Sequence, residues 1–205
     1  MRIIAHRGFC RDHCENTLAA FQAALDFGVR EMECDIRETP DGTLLLMHDE
    51  TLERLAGEPI AVKDGLDALR SHHAVATLDE LLQILPEDVI LHLDLKDCSP
   101  EKVIPAARLL GDRATVATAD VELLRRMKNA APDLHYGFQP RTLSIEKALG
   151  ITKEFKATSV RLNIDRVTLE WLAAARDARL EIFVYPVDTP EAMDRMRVLG
   201  VDAVF

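Results

Sequence analysis

Ionisable side chains stand at the ends of four short apolar runs in the first half of the sequence. The runs end in His6-Arg7, Glu33-Cys34-Asp35, His48-Asp49 and Asp94-Leu95-Lys96. Alternate residues of a β-strand share a face, so the carboxylates of Glu33 and Asp35 are predicted to point one way and Cys34 the other. Three acids and two histidines near one another could do chemistry on a charged substrate.

The acidic members of this set need a positive partner. Two buried carboxylates so close together cannot both stay ionised without a counter-charge. A hard divalent cation with oxygen ligands supplies one, and Mg²⁺ or Ca²⁺ fits this donor type best. Asp94 is then the natural third ligand beside Glu33 and Asp35. The alternative is a plain salt-bridge network of Glu33 and Asp35 with Arg7 and Lys96, and the spacing alone leaves both interpretations open.

Along the sequence, His6 precedes the Glu33/Asp35 pair and His48 follows it. Imidazole titrates near neutral pH, so one histidine can donate a proton while the other accepts one. Arg7 offers a planar fork for phosphate oxygens, and Lys96 offers a point charge. Together with a cation, these groups are what phosphodiester cleavage requires. Metal-assisted hydrolysis of another ester or of an amide is the alternative that the residues leave open.

A regular alternation of strands and helices must position these residues. Eight extended runs are predicted, and a helix follows each except the last. This order is typical of an α/β fold of the (β/α)8 TIM barrel type, in which catalytic residues lie at the C-terminal ends of the strands. A doubly wound open sheet is the alternative, but His6-Arg7-Gly8-Phe9 is not the glycine-rich phosphate loop that such a sheet normally carries. The runs begin at residues 2, 31, 89, 114, 134, 159, 181 and 203.

The predicted barrel occupies residues 1–205 as a single domain. A barrel of this type typically needs about 250 residues, and this chain of 205 stops inside its eighth strand. We therefore expect a compact barrel that is incomplete at its C-terminal end. A homo-oligomer is predicted to cover the side that lacks an eighth helix. The helix over residues 144–155 is expected to break near Gly150.

Composition and charge exclude several classes of function. The chain is 48% hydrophobic and 29% charged, with a formal net charge of −10, which is typical of a globular protein. Without a basic block we expect no nucleic-acid partner. We predict no transmembrane segment and no signal peptide, and hence a cytoplasmic location. Four cysteines are too few for a disulfide scaffold, and a zinc site at Cys10, His13 and Cys14 is a weak alternative.

The order and spacing of several motifs resemble the glycerophosphodiester phosphodiesterase family. The resemblance is specific in the first half of the chain and loose in the second, where Phe183-Val184-Tyr185 and Leu199–Ala203 match. The first-half segments that match are Ala5-His6-Arg7-Gly8, Glu15–Phe21, Glu33–Arg37, Asp41-Gly42-Thr43, His48–Arg54 and Ala76–Glu80.

The resemblance implies a metal-dependent TIM barrel that hydrolyses glycerophosphodiesters, which are small molecules, to an alcohol and sn-glycerol 3-phosphate. In the mechanism proposed for the family, a substrate hydroxyl attacks the neighbouring phosphorus, and water then opens the cyclic phosphate. Glu15 and Asn16 are implied to support the loop after the first strand. The implied roles are acid–base catalysis by His6 and His48, binding of Mg²⁺ or Ca²⁺ by Glu33, Asp35 and Asp94, and substrate binding by Arg7, Lys96, Glu15, Asn16 and Tyr185.

Departures from the family pattern keep other functions open. The third metal ligand is usually Glu, so Asp94 is one methylene shorter, and a Trp usually found near Tyr185 is missing. One alternative is a lysophospholipase D-type enzyme or another phosphodiesterase of the same superfamily, with an acyl chain bound by the moderately apolar loop Leu55–Leu69. Another is a non-catalytic binder of phosphate ligands, against which the two histidines and the Glu33/Asp35 pair argue.

Overall fold

The computed structural model describes residues 1–205 and contains ten extended segments. These are β1 (Arg2–Ile3), β2 (Ala5–His6), β3 (Glu31–Glu38), β4 (Leu44–Leu46), β5 (Ile90–Leu95), β6 (Ala114–Thr118), β7 (His135–Phe138), β8 (Ser159–Asn163), β9 (Glu181–Tyr185) and β10 (Ala203–Val204). β1 and β2 are two halves of the first strand, and β4 is an antiparallel addition to β3. The remaining pairings are all parallel, which leaves eight parallel barrel strands.

The eight strands close into a barrel because the first strand changes its neighbour along its length. β1 pairs with β10, whereas β2 pairs with β3. Between the two halves, the Ile4 N–H donates to the Val204 carbonyl oxygen at 2.8 Å. This confirms the predicted (β/α)8 order, although the first strand is split at Ile4. The expected incompleteness at the C-terminal end does not interrupt the ring of strands.

Helices lie between successive barrel strands and cover the ring from outside. They are α1 (Leu18–Asp26), α2 (Glu53–Ala56), α3 (Leu66–Arg70), α4 (Leu78–Ile84), α5 (Pro100–Leu110), α6 (Val121–Ala130), α7 (Ile145–Phe155), α8 (Leu169–Asp177) and α9 (Pro190–Leu199). Most begin at a Thr, Ser or Asp whose side chain accepts a hydrogen bond from an N–H of the first turn. None of the helices combines the length and the apolar character needed to cross a membrane.

Helix α7 is continuous through Gly150, so the expected break is wrong. An isolated glycine costs a helix about 1 kcal/mol relative to alanine, which tertiary packing can offset. Ala148, Thr152 and Phe155 supply that packing, since all three are buried on the face towards the barrel.

The segment between β4 and α4 has a small core of its own. The sequence predicts a loop here, whereas the structure contains the short helices α2 and α3. Ala56, Ile60 and Leu66 pack against this core and close over its apolar side chains. The buried members of the cluster are Leu45, Met47, Leu52, Val62, Leu69 and Val75. Most apolar side chains of this segment therefore face one another.

Strand register decides which side chains meet at the C-terminal end of the barrel. Asp35 is paired with Asp94 across β3 and β5, and His6 is paired with Glu33 across β2 and β3. Cys34, between the two acids, lies in the main apolar core, as the alternation of side chains predicts. The acids of two neighbouring strands are thereby placed at one level of the barrel.

Candidate active site

Three carboxylates, which we call the carboxylate triad, converge at the C-terminal end of the barrel. Oxygen atoms of Glu33, Asp35 and Asp94 all lie within 4.8 Å of one another, and all three residues are buried. No other group of three histidine, cysteine, aspartate or glutamate side chains comes as close together. The weak zinc alternative at the first cysteine pair therefore has no structural support.

Two basic side chains partner the triad. Lys96 Nζ lies 2.9 Å from Asp35 Oδ1 and 2.7 Å from Asp94 Oδ2. Arg7 Nε lies 2.9 Å from Asp35 Oδ2. Both contacts of Asp35 are ion pairs without hydrogen-bond geometry, whereas the bond from Lys96 to Asp94 is well formed. The salt-bridge alternative is thus realised for Asp35 and Asp94, but it does not extend to Glu33.

Glu33 is the member of the triad whose charge is not balanced. Its nearest ionisable partner of the opposite kind is His6, with Nε2 3.9 Å from Glu33 Oε2. Burial and the carboxylates of Asp35 and Asp94 raise the pKa of Glu33 well above its usual range. Burial would also raise the pKa of Asp35, but the charges of Lys96 and Arg7 and the hydrogen bond from Asn16 lower it. One more positive charge is needed before all three acids can be ionised together.

The loop after the first strand bends sharply to bring Arg7 over the barrel. Arg7 and Asn16 both adopt left-handed backbone, with φ of 60° and 57°. Gly8, with φ of 88°, packs directly on helix α1, where a Cβ would lie 2.7 Å from the carbonyl carbon of Ala20. Only glycine fits that contact. The strained residues are held by specific side-chain bonds, as expected at a functional site.

Glu15 and Asn16 stand behind the pocket and do not line it. Glu15 Oε1 accepts a hydrogen bond from Arg7 Nη1 at 2.9 Å. Asn16 Nδ2 donates to Asp35 Oδ2 at 2.9 Å, and its Oδ1 accepts from the Asp35 N–H at 3.2 Å. Their contacts therefore orient Arg7 and Asp35, which agrees with support of the loop and not with direct contact to a substrate.

His48 is held in one tautomer. Its Nδ1 lies 2.7 Å from Asp49 Oδ1, and Asp49 Oδ2 accepts from Arg54 Nε at 2.5 Å. Because an ionised carboxylate only accepts hydrogen bonds, the proton lies on Nδ1 and leaves Nε2 to exchange a proton. Burial would raise the pKa of Asp49, but the bonds from His48 and Arg54 lower it. Arg54 also binds Glu15, which ties this segment to the first loop.

His6 lies in a drier setting than His48. Burial and the adjacent positive charge of Arg7 lower the pKa of His6 to about 4. Its ring is 5.9 Å from the Phe205 ring and 6.5 Å from the Tyr185 ring, centroid to centroid. At neutral pH His6 is therefore uncharged and able to accept a proton.

One pocket at the barrel mouth brings most of the predicted residues together. Asp35 is the exception among the central residues, since it lies beneath the surface with only 1% of its area exposed. Tyr185 forms one wall of the pocket, whereas the sequence left a pocket position and a core position equally open. The predicted residues that line the pocket are His6, Arg7, Glu33, His48, Asp94, Lys96 and Tyr185.

Four further lining residues come from the second half of the chain and escaped the sequence analysis. They are Gln139, Arg141, Arg161 and Phe205. Gln139 Nε2 donates to Asp94 Oδ2 at 2.8 Å, so it fixes one acid of the triad. Gln139 and Arg141 follow β7 directly and could have been found from the strand-end rule. Arg161 had a different signal, because it is a charged residue inside an apolar strand.

Comparison with known proteins points to one enzyme family. The model of the glycerophosphoryl diester phosphodiesterase family matches residues 6–83, which include five of the predicted site residues at the barrel mouth: His6, Arg7, Glu33, Asp35 and His48. A glycerophosphodiester phosphodiesterase of Caldanaerobacter subterraneus subsp. tengcongensis is 27% identical over 224 residues, covering 98% of this chain and 92% of the relative.

Solved structures share the same barrel. The crystal structure of a glycerophosphodiester phosphodiesterase from Agrobacterium tumefaciens is 25% identical with a TM-score of 0.83, covering 100% of this chain and 95% of that chain. A phosphodiesterase of Oleispira antarctica, in complex with the product sn-glycerol-3-phosphate, has a TM-score of 0.84 at 18% identity and covers 100% of this chain and 92% of its own. At that identity the likeness shows the fold alone. The match to the family model over residues 6–83, the full-length similarity to a named relative and the shared barrel together support a glycerophosphodiester phosphodiesterase-like family for this chain.

Proposed function

We propose that this chain is a metal-dependent phosphodiester hydrolase that cleaves glycerophosphodiesters to an alcohol and sn-glycerol 3-phosphate. The observation that carries the proposal is the cluster at the barrel mouth, where two histidines and two basic side chains lie beside the carboxylate triad. Relatives that are named as glycerophosphodiester phosphodiesterases support the substrate class.

The carboxylate triad would hold the divalent cation. Asp94 Oδ1 is buried and has no hydrogen-bond partner. The only ion-pair partner of Glu33 is His6, which is uncharged at neutral pH. A donor set made only of carboxylate oxygens suits Mg²⁺ or Ca²⁺. When bound, such a cation would offset the negative charge on the phosphate oxygens during displacement at phosphorus.

The two histidines account for the movement of protons. His6, which is neutral, accepts the proton of the attacking hydroxyl as its oxygen bonds to phosphorus. His48, oriented by Asp49, gives a proton from Nε2 to the oxygen of the departing alcohol as that P–O bond breaks. The roles reverse when water opens the cyclic phosphate. Proton transfer of this kind contributes about 10²–10⁴-fold to a rate.

Arg7 and Lys96 supply fixed positive charge for the phosphate. Burial would lower the pKa of Lys96, but Asp94 and Asp35 raise it, so the ammonium stays charged. Tyr185 packs edge-on against Phe205, 6.3 Å between centroids, and forms the less polar wall of the pocket. That wall suits the carbon skeleton of the glycerol.

The test is release of sn-glycerol 3-phosphate from glycerophosphocholine, with Mg²⁺ or Ca²⁺ and with a chelator. His6→Ala and His48→Ala should each lower the rate by about 10²–10⁴-fold. His135→Ala is the matched control, because His135 is exposed at the start of β7, at the opposite end of the barrel. Near-normal turnover in both active-site variants, or no turnover with any divalent cation, would contradict the proposal.

The lysophospholipase D alternative is less well supported than hydrolysis of water-soluble diesters. Most apolar residues between β4 and α4 pack into their own small core and are not available to bind an acyl chain. A competition assay between a lysophospholipid and glycerophosphocholine separates the two. Ligand binding without any turnover would favour the non-catalytic alternative.

Three further expectations stay predictions: action as a single domain over residues 1–205, assembly into a homo-oligomer and a cytoplasmic location. Light scattering after size-exclusion chromatography measures the assembly directly. A monomer at micromolar concentration would contradict the oligomer.

A further inference from the structure

Arg161 is a buried cation at the floor of the active-site pocket. It lies in the middle of β8, it is 1% exposed, and its side chain forms part of the pocket wall. One nitrogen, Nη2, lies 3.2 Å from His92 Nδ1. The other two, Nε and Nη1, are buried without any hydrogen-bond partner, and no carboxylate forms an ion pair with the guanidinium.

The guanidinium is held in place by a chain of polar contacts along the inside of the barrel. Arginine can only donate, so His92 Nδ1 accepts from Arg161, and the His92 proton lies on Nε2. That nitrogen lies 2.8 Å from Glu31 Oε1, which also accepts from Arg2 at 3.0 Å. Glu31 begins β3 and Arg2 begins β1, at the end of the barrel away from the pocket. This series of contacts fixes Nη2 of the guanidinium and leaves Nε and Nη1 without a hydrogen-bond partner.

The unpaired nitrogens lie near the Ser159 hydroxyl, and the guanidinium carbon lies 5.5 Å from the centroid of the Phe205 ring. Ser159 is two residues before Arg161 on β8, so both point into the barrel, and its Oγ is also buried without a partner. Opposite them is Gly137, where a Cβ would lie 2.7 Å from Ser159 Oγ and 3.4 Å from Arg161 Nε. Glycine at this position preserves the space beside the unpaired nitrogens.

A buried guanidinium without an ion-pair partner lowers the stability of the fold, so a purely structural role does not explain it. Buried charges are normally paired, and an apolar side chain of similar size in such a place is often neutral or stabilising. Unsatisfied buried groups in native proteins therefore call for a functional reason. A guanidinium with two unpaired nitrogens, beside a hydroxyl that is also able to donate, is complementary to an anionic oxygen.

We propose that Arg161 is a further substrate-binding residue, which anchors an anionic phosphate oxygen of substrate or product at the floor of the pocket. The inference rests on the proposed function for the identity of the anion, and it assigns a contact beyond those of Arg7 and Lys96. Because the product monoester carries more negative charge than the diester, Arg161 should favour the product and strengthen product inhibition.

The experiment is titration of inorganic phosphate, and separately of sn-glycerol 3-phosphate, into the full chain supplied with Mg²⁺. Arg161→Met should weaken both by about 10- to 100-fold, the range expected for lost hydrogen bonds to a charged group. Arg161→Lys should lose less, because it keeps the charge but not the fork of donors. The matched control is Arg166→Met, since Arg166 lies just after β8, donates to the Leu143 carbonyl oxygen and does not line the pocket.

A structural role and an anchoring role differ in three readouts. Anchoring predicts a raised KM and a raised inhibition constant for the monoester, with a melting temperature no lower than that of the unaltered chain. If Arg161→Met does not fold, the same three quantities are measured for Arg161→Gln, whose amide can still donate a hydrogen bond to His92. Unchanged phosphate affinity in a folded Met or Gln variant would overturn the proposal and leave ordered water as the occupant.

The outcomes also separate this inference from the proposed function. A chain that binds phosphate through Arg161 but cleaves no diester would refute the hydrolase and keep the anion site. A chain that cleaves glycerophosphodiesters with unaltered KM and inhibition in the Arg161 variants would refute the anion site alone.

Discussion

The Asp49→Asn substitution tests whether the orientation of His48 matters to the reaction. The carboxylate of Asp49 receives His48 Nδ1–H on one oxygen and Arg54 Nε–H on the other. An amide of the same shape has only one oxygen. Because Arg54 can only donate, the amide oxygen turns to Arg54 and the amide nitrogen turns to His48. The proton on Nδ1 then meets another donor, and the doubly protonated imidazole that acts as the acid is disfavoured.

The magnitude follows from the bond that is lost. A hydrogen bond to a charged group contributes about 1.5–3 kcal/mol, and each 1.36 kcal/mol is tenfold in rate, so kcat should fall by about 10- to 150-fold. KM should change little, because Asp49 does not line the pocket. The assay is steady-state release of sn-glycerol 3-phosphate at saturating Mg²⁺.

A second substitution sharpens this test. Arg54→Met removes the donor that forces the amide to turn, so the amide oxygen can face His48 again. Asp49→Asn should therefore cost less in the Arg54→Met background than alone, and a double-mutant cycle measures the difference. An unchanged kcat in Asp49→Asn would refute the reasoning. So would a loss of equal size in both backgrounds.

Two further predictions concern the cation and the acid stability. Asp94→Asn should raise the Mg²⁺ or Ca²⁺ concentration for half-maximal activity by about tenfold or more. The reason is that even residues that only contact a metal ligand contribute about 10- to 100-fold to metal affinity. An unchanged cation requirement would remove Asp94 from the ligand set. Burial would raise the pKa of Glu15, but hydrogen bonds and charge from Arg54 and Arg7 lower it. The ionised Glu15 therefore stabilises the fold above the ordinary glutamate pKa, and this stabilisation is lost as the pH falls through the lowered pKa. Urea unfolding between about pH 5 and 3 should therefore show a shallower fall in unfolding free energy for Glu15→Gln than for the unaltered chain, and parallel curves would contradict this.

The barrel order could be predicted because each element carries its own local signal. Strands such as β5 are apolar runs with a polar C-terminal end, and helices such as α4 begin at a Thr that caps the first turn. Local signals failed where packing decided the outcome. The segment between β4 and α4 is helical because its apolar residues bury one another, and α7 continues through Gly150 because its neighbours are buried.

The first-half site residues could also be predicted, since strand ends mark the barrel mouth. The sequence could not choose between a cation site and a salt-bridge network at the triad. The structure contains elements of both, with Lys96 between Asp35 and Asp94 and with Glu33 unbalanced. That result depends on distances across strands, which spacing along the chain does not define.

Local sequence signals were enough to predict the eightfold alternation, the face shared by Glu33 and Asp35, and the histidines at two strand ends. Two features could be read only from the folded chain: Asp49 and Arg54 fix the tautomer of His48, and Arg161 reaches the pocket from the second half. Both follow from closure of the barrel. Residues far apart in the chain, such as Arg161 and His92, become neighbours only when parallel strands surround one interior.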